Sequence, residues 1–101
     1  MTTFVLVHGA WHGGWCWDRV APLLRDAGHE VHAPTLTGLS ERAHLLSPQV
    51  GLDAHVEDVV RLIDTFALTG VALVGHSYAG QIVTAVADRR PAAVEIGRAH
   101  V

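Results

Sequence analysis

The chain has 101 residues, half of them hydrophobic and 17% charged, which suits one globular domain and argues against disorder. A net charge of −3 and a pI near 6.2 offer no basic surface for nucleic acid or an anionic membrane, so neither is an expected partner. No apolar run reaches the ~18 residues of a membrane span. Met1-Thr2-Thr3 carries no charged leader region, and the single Cys16 fits a reducing compartment, so a cytoplasmic protein is expected.

Phe4-Val5-Leu6-Val7 is wholly apolar and ends at His8-Gly9, the pattern of a strand buried on both faces. A loop rich in glycine and tryptophan follows over 10–15. A helix is predicted over 17–27. Asp18 could cap its start, Pro22 is tolerable in its first turn, and Gly28 could supply a left-handed residue at its end. Residues 30–33 read as a second, weaker strand, and 34–50 as a loop with a short helical turn. From Asp53, a plausible N-cap, Val56, Val59, Val60, Ile63 and Phe66 recur at helical spacing, with Glu57, Asp58, Arg61 and Asp64 opposite. Residues 71–74 are a third apolar strand. A last helix runs from Ser77 or Tyr78 to Arg89 and stops before Pro91. Three strands alternating with three helices predict an α/β fold, a parallel sheet with helices on both faces.

Gly75-His76-Ser77-Tyr78-Ala79-Gly80 is a G-x-S-x-A variant of the G-x-S-x-G turn. Set between an apolar strand and a helix, it forces a sharp turn. That turn strains Ser77 and lifts its hydroxyl to the tip of the sheet as a nucleophile. A helix cap would explain the serine but not the small flanking residues. Acyl chemistry also needs two backbone N–H groups aimed at a developing oxyanion. Tyr78, next after the serine, is one candidate, and Ala10, in the loop after the first strand, is the other. Trp11, Trp15, Trp17 and Tyr78 could line an apolar acyl pocket, with Trp11 the candidate substrate-binding residue; core packing is the competing use of these rings.

The eight histidines are scattered, which predicts loops, turns and surface, with structural support the expected role of His8, His12 and His76 near the serine. His8 and His12 are four apart, but Gly9 stands where H-E-x-x-H requires glutamate. No metal site and no cofactor are expected. A dinucleotide fold would need G-x-G-x-x-G after the first strand, and 8–13 does not supply it.

Residues 4–17, 27–31 and 74–80 together resemble the α/β-hydrolase superfamily, in the small esterase branch that holds plant methylesterases, hydroxynitrile lyases and bacterial relatives. The resemblance implies a carboxylic-ester hydrolase with Ser77 as nucleophile, Ala10 and Tyr78 as the oxyanion hole, and a small-molecule ester as substrate. The related lyases tend to carry threonine where Gly9 stands, so glycine favours ester hydrolysis. The branch uses Ser-His-Asp, with acid and histidine after the nucleophile. Beyond Ser77 the chain offers only Asp88, Glu95 and His100, none on a suitable loop. A domain of this kind needs roughly 250 residues. Residues 1–94 are therefore expected to be its N-terminal portion, inactive alone, with 71–74 left as an exposed sheet edge. Residues 95–101 do not continue an apolar strand and resemble a translated sequencing adapter, a non-native tail. The alternatives are a lyase of the same branch and a non-catalytic small-molecule-binding module on the same fold.

Overall fold

A computed structural model describes residues 1–100, with side chains through residue 97. Strand β1 (Thr3–Val7) leads through a 3-10 turn (Gly14–Trp17) to helix α1 (Ala21–Asp26) and strand β2 (Glu30–His32). A second 3-10 segment (Ser40–Leu45) precedes helix α2 (Leu52–Thr65), strand β3 (Val71–His76), helix α3 (Ala79–Arg89) and strand β4 (Val94–His100). The order across the sheet is β2-β1-β3-β4, every pair parallel.

The two-residue period of a strand divides the core. Val5 and Val7 of β1, with Val71 and Leu73 of β3, pack against Val56, Val59, Val60 and Ile63 of α2 and Ile82, Val83 and Val86 of α3. Leu6, with Phe4 and Val74, faces the other way onto Ala21 and Leu24 of α1, Val31 and Trp17. Helices thus cover both faces, as a buried parallel sheet requires.

Four expectations are corrected. First, the sheet has four strands, not three. β4 pairs with β3 from Val71↔Val94 to His76↔His100, so β3 is not an edge. Main-chain hydrogen bonding is indifferent to side chains, and an open strand accepts any extended segment returned alongside it; Val101, the last residue of the expected tail, lies outside the described residues. Second, the helix predicted over 17–27 is split into the 3-10 turn and a helix beginning at Ala21. Pro22 falls at its first positions, where its fixed φ and missing N–H are harmless. Asp18 instead follows the 3-10 turn. Gly28 does take the left-handed conformation, φ 90°. Third, Gly51 rather than Asp53 is the N-cap of α2, and Asp53 lies in its first turn. Fourth, Phe66 is 61% exposed because it follows the last helical residue, where helical periodicity no longer applies. Its ring lies 5.3 Å from that of His32.

Candidate active site

β1 and β3 are parallel neighbours, with Val7 opposite Gly75. The segments leaving them therefore emerge at the same end of the sheet, where α/β folds build their sites. Ser77, two residues past Gly75, is exposed and holds φ 56°, a region that costs a non-glycine residue on the order of 1–3 kcal/mol. The neighbourhood requires this sharp turn. A Cβ at Gly75 would stand 2.7 Å from the Ala79 carbonyl oxygen and 2.8 Å from Val83 Cγ2, so α3 packs onto β3 through the missing side chain. The loop after β1 presses equally close. A Cβ at Gly9 would meet the His76 carbonyl oxygen at 3.0 Å and Ser77 Cβ at 3.4 Å. Glycine there lets Ala10 approach the serine turn.

Neither the Ala10 nor the Tyr78 N–H is engaged by another backbone group among the described residues. Both residues border a cleft of about 260 Å³, whose wall also includes Trp11, Leu39, Leu46 and Val50. Trp11 is 89% exposed and itself left-handed, φ 67°. Trp15 is exposed, donating its indole N–H to Ser40 Oγ at 3.0 Å, whereas Trp17 packs into the core beside α1. Trp17 also lines a second cleft, of about 270 Å³, with His12, Cys16 and His76. Burial pushes the Cys16 thiol up and keeps it protonated.

Two histidines are buried, His8 in the loop after β1 and His55, expected in a loop or on the surface but lying instead on α2. His8 is fully buried. The Gly9 carbonyl can only accept, so His8 Nδ1 donates to it at 2.8 Å, and Nε2 accepts the Leu36 N–H at 2.9 Å. Both nitrogens suit only the neutral ring, and burial pushes the imidazole below its ordinary value. His55, on α2, bonds Thr37 and the Tyr78 hydroxyl. Its spacing of four from Val59 was the available sign that it faces inward. His12 stacks on His76, ring centroids 5.9 Å apart. Asp88 is exposed near the far end of α3, away from Ser77.

The match to a family model described as the alpha/beta hydrolase family runs over residues 4–99, and the chain belongs to that family. Its partial parallel sheet is the family's architecture. It is 55% identical over 89 residues to a carbendazim hydrolyzing esterase from Nocardioides sp. (strain SG-4G), a match covering 88% of this chain and 37% of the relative. It is 35% identical over 94 residues to methyl jasmonate esterase 1 from Vitis vinifera, covering 92% of this chain and 36% of that one. Among solved structures, an extracellular α/β-hydrolase from a Paenibacillus species superposes with a TM-score of 0.85 at 30% identity, over 94% of this chain and 38% of its own. Polyneuridine aldehyde esterase superposes with a TM-score of 0.83 at 28% identity, over 93% and 37%. The chain thus spans little more than a third of the length of these relatives. No described helix is long and apolar enough to cross a membrane.

Proposed function

We propose that these residues form the nucleophile half of a serine carboxylic-ester hydrolase acting on small-molecule esters. The observation that carries this reading is the convergence of a left-handed, exposed Ser77 with two unengaged backbone N–H groups, from Ala10 and Tyr78, at one end of two adjacent strands. Helix capping alone needs no such second loop. Relatives whose names declare them esterases support the same class.

Ser77 Oγ attacks the ester carbonyl carbon while a base takes its proton. The carbonyl oxygen becomes an oxyanion held by the Ala10 and Tyr78 N–H groups, and Trp11 flanks the substrate. Collapse expels the alcohol with that proton, and water then frees the acid and restores the serine. His8 cannot serve as base, because both its nitrogens are committed. We assign the histidine and its acid to sequence beyond the 101 residues, in a longer chain of the relatives' length, of which 1–94 are the N-terminal portion. The single Cys16 supports a cytoplasmic location.

In that longer chain, Ser77→Ala should lower kcat for an activated ester on the order of a millionfold, as loss of a serine nucleophile does elsewhere, while Asp88→Asn changes it little. Turnover unaffected by Ser77→Ala would leave the binding-module reading in its place.

A further inference from the structure

The wall of the apolar cleft beside Ala10 includes Trp11, 89% exposed, and two further polar side chains, His55 and Tyr78, each of which occupies the other. The Thr37 carbonyl can only accept, so His55 Nε2 carries a hydrogen and donates to it at 2.9 Å. In the neutral ring Nδ1 is then an acceptor, and the Tyr78 hydroxyl donates to it at 2.9 Å. The rings meet edge to face, centroids 5.7 Å apart. Thr37 is fixed in turn by Asp58, which accepts its N–H and its hydroxyl, each at 2.7 Å. His55 is only 6% exposed, and burial pushes the Tyr78 phenol up, so its hydroxyl keeps the hydrogen it donates. The remaining wall includes Leu39, Leu46 and Val50. An acyl group bearing an acceptor oxygen would lose its water there while the Tyr78 hydrogen is already taken.

We propose that His55 is a specificity-determining residue: by engaging the Tyr78 hydroxyl it withholds a hydrogen-bond donor from the cleft, which therefore selects an apolar acyl chain over an isosteric one carrying an ether oxygen. This rests on the esterase reading above, with the acyl group in the cleft that the two oxyanion donors border. At about 260 Å³, just below the usual size of a ligand pocket, the cleft suits a short chain.

The test uses the longer chain and two substrates, p-nitrophenyl butyrate and p-nitrophenyl methoxyacetate, in which one methylene is replaced by oxygen. Replacing His55 by leucine frees the Tyr78 hydroxyl, and the butyrate-to-methoxyacetate ratio of kcat/KM should fall roughly 3- to 10-fold, the worth of one neutral hydrogen bond. Adding Tyr78→Phe to His55→Leu should return the ratio towards its original value. His55→Gln, which keeps a donor and an acceptor, should shift it least. The ratio is independent of the fraction of folded enzyme. An unchanged ratio in His55→Leu, or a shift that persists in the double variant, overturns the proposal. A second measurement needs neither turnover nor a His55 variant. Nitrogen-15 resonances of the unaltered protein should show His55 protonated at Nε2, with an Nδ1 signal that moves on Tyr78→Phe; protonation at Nδ1 instead, or indifference to that substitution, also overturns it. Turnover that survives Ser77→Ala would defeat the esterase reading, a result the resonance measurement does not share.

Discussion

Ser77 sits in a left-handed conformation that a serine adopts only when its surroundings insist, and Gly75 and Gly9 are how they insist. Gly75→Ala would drive a methyl into the backbone of Ala79, 2.7 Å from its oxygen, which cannot yield without moving α3 off the sheet. The expected cost is about 1–3 kcal/mol, the usual range for overpacking, read as a lower urea midpoint. A midpoint unchanged by this substitution would show that α3 does not pack on the strand through Gly75. His8 gives a prediction in pH. Its folded value is held below the ordinary 6.5 by burial, so the unfolded chain binds a proton near pH 6.5 that the folded chain refuses. The stability this provides is full above about pH 6.5. It is lost as the pH falls below that value, until the folded ring is itself protonated. Urea unfolding between about pH 8 and pH 5 should decline more steeply for the unaltered chain than for His8→Gln. Equal slopes would place the His8 titration elsewhere.

At the level of elements, the loop after β2 is fastened at two points, Thr35 and Thr37. Thr35 Oγ1 accepts the Gly14 N–H at 2.9 Å and donates to Glu41 at 2.7 Å, and that bond holds the Glu41 carboxyl below its usual range. Asp58 of α2 accepts two hydrogen bonds from Thr37. Asp58→Ala removes both and should cost about 1–3 kcal/mol, since bonds to a charged acceptor are stronger than neutral ones. Stability within a few tenths of the unaltered chain in chemical denaturation would show that the tie contributes nothing. Much of this element order was legible in sequence. Phe4–Val7 is an apolar run ending at His8-Gly9, residues 71–74 are one bounded by glycine on both sides, and α2 announces itself by period. The serine turn was legible for the same reason, being local. The contact between His55 and Tyr78 was not, because it joins positions 23 apart, one within α2 and one just before α3, whose relative placement no local pattern encodes. β4 was missed because strand pairing is made by backbone groups, while in the sequence Glu95, Gly97 and Arg98 interrupt any apolar strand pattern.

The whole molecule divides the chemistry unevenly. The described residues supply a turn, an exposed hydroxyl and two N–H donors, while the histidines best held by the fold, His8 and His55, are committed to carbonyl and hydroxyl partners. The 101-residue chain alone should therefore show negligible turnover of activated esters, since donors without a base give only residual catalysis. Steady turnover by this chain, abolished by Ser77→Ala, would place a base among the residues already present. The central claim is that Ser77 becomes acylated. The most direct measurement is mass spectrometry of the longer chain, acid-quenched during turnover of p-nitrophenyl acetate and digested. The expected result is an acetyl group on the peptide that contains Ser77, confined to that residue and absent from Ser77→Ala. Turnover with that peptide unmodified, or with the acetyl group on another side chain, would contradict it.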